Sequence, residues 1–139
     1  MKKRIIICHP RDCLTLLYRY GRMRQEHFGA IFLNSQKEVI QTKCFFVGWD
    51  NRCYVHPKIV FWKACKLEAT SMILFHNHPS GDTSPSDYDI ELTKKFEKGG
   101  ALLGIQVLDH IIIGRYGYYS FLVHDRMGGE ETQTKAAEL

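Results

Sequence analysis

The sequence predicts an α/β domain in three layers, with helices packed on both faces of a mixed β-sheet. Short apolar segments of strand length alternate along the chain with longer segments whose apolar residues recur at helical spacing. The 139 residues, 45% of them hydrophobic, can form one core, and we expect a single domain over residues 1–127. Residues 128–139 are polar and aperiodic, so a disordered tail is expected there.

The first half of the chain is expected to contain one helix and three strands. The helix covers residues 11–20 and follows Pro10, a residue that the first helical turn tolerates. The strands are expected at residues 4–8, 26–33 and 39–47. Because only a short polar turn, residues 34–37, separates the last two strands, they predict a hairpin.

The second half of the chain alternates more regularly between helix and strand. Helices are expected over residues 57–67 and 87–98, the first with an apolar face at helical spacing. Residues 71–75 form a continuous apolar run, which indicates a strand at the centre of the sheet. A loop over residues 76–85 is expected to follow it. Two further strands, at residues 104–114 and 118–123, complete the predicted sheet.

Charge and cysteine content narrow the classes of protein to which the chain could belong. The net charge is a mild +4, and much of it comes from basic residues near the N-terminus, namely Lys2, Lys3, Arg4, Arg19, Arg22 and Arg24. We interpret these residues as solvated surface, with contact to DNA as the alternative. The five cysteines are odd in number and include no Cys-x-x-Cys pair. We therefore expect reduced, mostly buried thiols in a cytoplasmic protein.

No segment of the sequence predicts export or a membrane partner. The apolar run at residues 5–8 is too short for the core of a signal peptide, and His9-Pro10 ends it. No other stretch approaches the length of a membrane span.

His76 and His78 follow the apolar strand and carry the clearest chemical signal. Residues two apart in extended backbone point to the same side, so both imidazoles can meet at one point. Asp89 is the candidate third ligand, because Ser86 resembles a helix N-cap and would place Asp89 in the first helical turn. Two imidazoles and one carboxylate leave the fourth zinc position to water, as in catalytic zinc sites. Alternatively, Ser86 and Asp89 form only a capping box.

The spacing of these residues is similar to that of a known motif. The chain resembles the JAMM motif of MPN-type metalloprotease domains in the pattern His76-x-His78-Pro79, six residues, and Ser86-x-x-Asp89. The run HNHPSGDTSPSDYD, residues 76–89, resembles the RadC branch of that family. The resemblance covers residues 10–123, and it includes Glu26-His27-Phe28, His56-Pro57 and the run from Asp109 to Gly114.

The resemblance implies an MPN/JAB-like fold, of cytidine-deaminase-like architecture, and a role for each motif residue. His76, His78 and Asp89 would bind one zinc ion per chain. Glu26 would be the general base that takes a proton from the metal-bound water, and Ser86 would stabilise the oxyanion. The implied activity is that of a zinc-dependent metallopeptidase-like hydrolase whose substrate contains a peptide or isopeptide bond.

The chain departs from the family pattern at two places, neither of which touches a proposed ligand. Proteins of the RadC branch usually carry an N-terminal helix-hairpin-helix region that binds DNA, and we expect none in these 139 residues. Gly48-Trp49 stands where the family usually has Gly-Thr. The missing region makes the association with DNA repair nominal. Because MPN-type domains also exist as scaffolds, the alternative to a hydrolase is a non-catalytic protein- or DNA-interaction domain.

Overall fold

The computed structural model describes residues 3–48 and 54–128. Trp49, Cys53 and the tail at residues 129–139 lie outside the described residues, so what the sequence predicts for them stays a prediction. The helices are α1 (Leu14–Leu17), α2 (Pro57–Lys66) and α3 (Asp87–Leu103). The strands are β1 (His27–Leu33), β2 (Val39–Val47), β3 (Ser71–Asn77), β4 (Gln106–Ile113) and β5 (Tyr118–Ser120).

The five strands form one mixed sheet in the order β2-β1-β3-β4-β5. β1 pairs antiparallel with both β2 and β3, and β4 pairs antiparallel with β5. β3 and β4 run parallel and are joined through α3, as parallel neighbours require a crossover. The predicted α/β class, the hairpin and the central position of the apolar strand are all confirmed.

Two apolar cores on opposite faces of the sheet give the predicted three layers. Met72 and Leu74 of β3 pack into the core under α2 and α3, whereas Ile73 and Phe75 pack into the core under the N-terminal helical segment. This alternation follows from the two-residue repeat of an extended strand. Every residue of β3 is buried, because both faces of the central strand are covered. His76 continues the α3 side of this alternation.

The prediction of a strand at residues 4–8 is wrong. Ile6 makes a single antiparallel bridge with Glu38, and the ladder then stops. The backbone N–H groups of Cys8 and His9 instead donate to the Asp12 carboxylate, at 2.8 and 2.9 Å. These hydrogen bonds turn the chain into a 3₁₀ turn, so the next residues cannot continue an extended pairing.

The helix predicted at residues 11–20 forms as three short pieces. α1 has only four residues and lies between two 3₁₀ turns, Pro10–Cys13 and Tyr18–Arg22. Leu14, Leu17 and Tyr20 lie three residues apart and face the core. Since side chains three residues apart align in a 3₁₀ helix, that form suits this spacing.

The elements around the candidate site are longer than expected. His76 and Asn77 belong to β3 rather than to the following loop. α3 continues to Leu103 and ends at Gly104, whose left-handed backbone (φ 72°) is typical of a helix C-terminus. After the helix, the chain passes close to Gly100. A side chain there would prevent this close approach, because a Cβ would collide with the backbone oxygen of Ile105. β5 is shorter than expected, since a turn begins after Ser120.

The cysteines agree only in part with the sequence prediction. Cys8, Cys13, Cys44 and Cys65 are free thiols. Cys13 is buried and Cys44 is half-buried, but Cys8 and Cys65 are exposed, so the expectation of mostly buried thiols is wrong for these two. In the described part of the chain, no helix is long and apolar enough to cross a membrane.

Candidate metal centre

His76 and His78 point to the same side of β3, as their spacing predicts. The Nε2 atoms of their rings lie 2.9 Å apart. The backbone N–H of His78 donates to the Ile113 carbonyl at 3.1 Å, which keeps the chain beside β4 just past the end of β3. The sheet therefore brings the two imidazoles together at the C-terminal end of β3, next to the start of α3.

Asp89 reaches both rings from the first turn of α3. Its Oδ1 lies 3.1 Å from Nε2 of His76, and its Oδ2 lies 3.1 Å from Nε2 of His78. The predicted N-cap is also present: the Ser86 hydroxyl accepts from the Asp89 N–H at 3.1 Å, and Asp89 Oδ2 accepts from the Ser86 N–H at 2.8 Å. The capping box and the convergence of the three groups are therefore compatible, because the cap aims the carboxylate at the imidazoles.

The cluster strongly favours an ionised Asp89. Burial raises the pKa of Asp89, but the close contacts of its oxygens with His76 and His78 and the hydrogen bond from the Ser86 N–H outweigh burial and hold this pKa well below its ordinary value. Burial lowers the pKa of His78, yet its contacts with Asp89 and with the Asp82 carbonyl raise it overall. One ligand atom from each of His76, His78 and Asp89 lies within 4.8 Å of the others, so the group could hold a metal ion.

Glu26 and Ser86 face the same cavity as the three groups. The cavity has a volume of about 820 Å³, and its polar lining includes Glu26, His76, His78, Ser86 and Asp89. Glu26 lies immediately before β1 and is half-buried. Burial raises the pKa of Glu26, and the nearby histidines oppose that rise without cancelling it. A carboxylate with a raised pKa beside a possible metal site suits a proton acceptor.

Asn77 holds the segment that carries Glu26, and sequence reasoning missed this residue. It points away from the cavity, and its side-chain oxygen accepts from the His27 N–H at 2.6 Å. Its amide nitrogen donates to the Gln25 carbonyl at 2.9 Å. The strand alternation places Asn77 opposite the two histidines, but no sequence pattern identifies partners 50 residues away.

His110 and Thr93 lie behind His76, and the sequence analysis predicted no role for either residue. Nδ1 of His76 lies 2.8 Å from Nε2 of His110, and Nδ1 of His110 lies 2.6 Å from the Thr93 hydroxyl. Complete burial lowers the pKa of His110 well below its ordinary value. The only sequence signal for His110 was its place in the run from Asp109 to Gly114, which carried no role for it.

Comparison with known proteins matches most of the chain to one family. The profile described as "RadC-like JAB domain" matches residues 7–127. A UPF0758 protein of Bacillus cereus is 44% identical over 120 residues, which cover 86% of this chain and 53% of that protein.

Two further relatives show the same relationship. A UPF0758 protein of Shouchella clausii is 46% identical over 112 residues, which are 80% of this chain and 49% of the relative. One of Bacillus licheniformis is 46% identical over 122 residues, 86% of this chain and 54% of the relative. The chain thus spans about half the length of the curated relatives it matches.

Proposed function

The chain belongs to the RadC-like JAB domain family, and on that premise we propose that it is a zinc-dependent hydrolase of amide or isopeptide bonds. The observation that carries this proposal is the convergence of His76, His78 and Asp89 at one end of a cavity that Glu26 and Ser86 also line. A hydrolase of this kind needs a metal site, a base and an oxyanion donor in one place.

The distances within the cluster fit a zinc ion. With ligand bonds of roughly 2.0–2.1 Å and tetrahedral angles, two ligand atoms on one zinc lie about 3.3 Å apart. The two Nε2 atoms are 2.9 Å apart, and each lies 3.1 Å from a different oxygen of the Asp89 carboxylate, so side-chain adjustments would admit the ion. Two imidazoles and a carboxylate suit zinc among the common divalent ions, and they leave one position for water.

Glu26 is suited to move the proton of the attacking water. When bound, zinc supplies Lewis acidity that lowers the pKa of a water ligand to about 7 and polarises a carbonyl. The Glu26 carboxylate lines the same cavity as the three groups that would hold the ion, so it would be placed to accept a proton from a water that attacks the substrate there. The same carboxyl group can then give the proton to the leaving amine, which completes amide cleavage.

Ser86 is suited to stabilise the negative charge on the substrate oxygen. Its hydroxyl oxygen accepts the Asp89 N–H, which leaves the hydroxyl hydrogen to donate into the cavity. The helix N-cap fixes this hydroxyl before any substrate arrives, and donors that are fixed in advance stabilise an oxyanion best.

The rest of the cavity favours a substrate with an apolar portion. Phe28, Val55 and Leu92 line it, and all three are buried. Tyr54 and Tyr88 also line it but remain largely exposed, at 67% and 46%. A peptide chain can place an apolar side chain against such a wall while its backbone carbonyl faces the polar groups.

Metal content and amide cleavage by matched variants test the proposal. The protein, purified without chelator, should hold about one zinc per chain and cleave a panel of fluorogenic peptide and isopeptide substrates. His78→Ala should lose the metal. Glu26→Gln should keep the metal and lose about 10²-fold or more of the rate, because proton transfer contributes that much. Glu91→Gln, an exposed position on α3, is the matched control and should behave as wild type.

Two results would contradict the hydrolase. One is a wild-type protein with no bound metal after incubation with zinc. The other is a Glu26→Gln variant that cleaves as fast as wild type. Bound zinc together with no cleavage of any substrate would favour the alternative, a non-catalytic protein- or DNA-interaction domain.

A further inference from the structure

A buried chain of hydrogen bonds joins two of the proposed metal ligands by a route that avoids the cavity. It begins at Nδ1 of His76, which lies 2.8 Å from Nε2 of His110. It continues from Nδ1 of His110 to the Thr93 hydroxyl, 2.6 Å away. It ends where that hydroxyl donates to the backbone carbonyl of Asp89, at 2.7 Å. His110 and Thr93 are at most 1% exposed, so no solvent competes for these contacts.

The carbonyl at the end of the chain favours one direction for all of its hydrogen bonds. The Asp89 carbonyl can only accept, and the single hydroxyl hydrogen of Thr93 goes to it. The Thr93 oxygen must then accept from His110, so His110 carries its hydrogen on Nδ1. A neutral imidazole has only one N–H, so Nε2 of His110 accepts from Nδ1 of His76. His76 is therefore left with a free lone pair on Nε2, the atom that faces Asp89 and His78.

The reverse direction would disable His76 as a ligand. If Thr93 donated to His110, the hydrogen of His110 would move to Nε2 and point at Nδ1 of His76. His76 would then carry its own hydrogen on Nε2, where a metal ion needs the lone pair. The helical position of Thr93, four residues after Asp89, favours donation to that carbonyl and so favours the competent direction.

His78 provides an internal comparison. Its Nδ1 lies 2.8 Å from the backbone carbonyl of Asp82, which can only accept. That carbonyl alone keeps the hydrogen of His78 on Nδ1 and leaves Nε2 free. The partner of His76 is an imidazole, which can donate as well as accept, so a further residue has to decide the direction. Thr93 is that residue.

Packing holds the His110 ring in the orientation that this chain needs. The ring stacks on Phe121, with centroids 4.7 Å apart and planes 17° from parallel. The ring of Phe28 meets it edge-on, with centroids 5.8 Å apart. These contacts resist rotation of the His110 ring, so its two nitrogens stay directed at His76 and Thr93.

We propose that Thr93 and His110 are positioning residues that hold His76 in the tautomer whose Nε2 lone pair faces the metal site. The proposal rests on the proposed metal binding and adds residues that act only through His76. Partners of this kind orient metal-binding histidines, and their loss commonly weakens metal affinity 10- to 100-fold.

A pair of substitutions at one position provides the first test. Thr93→Val keeps the shape of the side chain and removes the hydroxyl, whereas Thr93→Ser keeps the hydroxyl. Zinc affinity, measured by competition with a chelator, should fall about 10- to 100-fold in Thr93→Val and stay within about threefold of wild type in Thr93→Ser. Thr42→Val is the control, because the buried Thr42 hydroxyl has no hydrogen-bond partner among the described residues. It should bind zinc as wild type does.

Nitrogen-15 NMR of the histidine rings provides a second test that needs no variant. In the wild-type protein, with or without zinc, His110 should carry its hydrogen on Nδ1, since the hydrogen bond between Thr93 and Asp89 does not involve the ion. A hydrogen on Nε2 of His110, or a folded Thr93→Val variant that binds zinc as tightly as wild type, would overturn the proposal. If the wild type binds no zinc, the proposed function fails, and the ring NMR of the metal-free protein still decides this inference.

Discussion

The side-chain oxygen of Asn77 accepts a hydrogen bond from the backbone N–H of His27, which lies 50 residues earlier in the sequence, at 2.6 Å. The same amide group donates to the Gln25 carbonyl. Glu26 lies between these two anchored residues, so Asn77 fixes the backbone on both sides of the proposed base. Because Asn77 also lies between His76 and His78, one strand end positions both the ligands and the base.

Removing this amide should loosen the Glu26 segment and leave the ligands in place. Asn77→Ala removes two part-buried hydrogen bonds, each of which contributes roughly 0.5–1.5 kcal/mol, so we expect the free energy of unfolding to fall by about 1–3 kcal/mol. Urea unfolding measures this loss, and zinc affinity should change little because β3 still holds both histidines. Gln36→Ala, an exposed turn position, should change the free energy of unfolding by less than about 0.5 kcal/mol. Equal stabilities for the two variants would contradict the role given to Asn77.

Asp109 is a buried carboxylate that anchors the turn after β5. It accepts from the Ser120 hydroxyl at 2.6 Å and from the backbone N–H groups of His110 and Leu122 at 2.7 and 3.0 Å. Burial raises the pKa of Asp109 by more than these hydrogen bonds lower it. The folded protein therefore holds the proton of Asp109 to a higher pH than the unfolded chain does.

This raised pKa gives a pH dependence with a definite sign. Below the ordinary aspartate value of 3.8, Asp109 is protonated in both states. As the pH rises above that value, the unfolded chain ionises first, so the contribution of Asp109 to stability is lost up to its folded pKa. The stability of wild type relative to Asp109→Asn should therefore decrease as the pH rises from 4 towards 7. Urea unfolding of both proteins across this range measures the free energy of unfolding of wild type minus that of the variant. An increase of this difference with pH would contradict the prediction.

The two kinds of cysteine should differ sharply in reactivity. Burial raises the pKa of the Cys13 thiol to about 12, so almost no reactive thiolate is present at pH 8. Iodoacetamide at pH 8, followed by peptide mass spectrometry, should label the exposed Cys8 and Cys65 and spare Cys13 until the protein is denatured. Labelling of native Cys13 at the rate of Cys65 would mean that the N-terminal segment opens readily.

Gly29 in β1 should not tolerate a side chain. A Cβ at this position would collide with the backbone oxygen of Lys43 on β2 and with the ring of Phe75 on β3. Overpacking of this kind costs about 1–3 kcal/mol, so Gly29→Ala should lower the free energy of unfolding by that amount. Gly117→Ala is the matched control, because a Cβ there has open space around it. Similar urea midpoints for the two variants would contradict this packing argument.

The sequence alone determined the fold class and the three groups at the candidate metal site. Periodicity predicted the order of strands and helices from β1 onwards, because each element's own residues carry its apolar pattern. The spacing of His76 and His78 placed both rings on one side of a strand, and the Ser86 cap placed Asp89 in a first helical turn. These inferences depend on covalent spacing over 14 residues or fewer, which a sequence displays directly.

Only the tertiary structure decided which residues support that site. Glu26 reaches the cavity because Phe28 pairs with His76 in the register of β1 against β3. His110 reaches His76 because β4 lies parallel to β3, and Thr93 reaches His110 because α3 packs on both. Each contact joins residues 17 to 48 positions apart in the sequence. Strand register and helix packing bring such residues together, and they result from the balance of many contacts at once rather than from any local pattern.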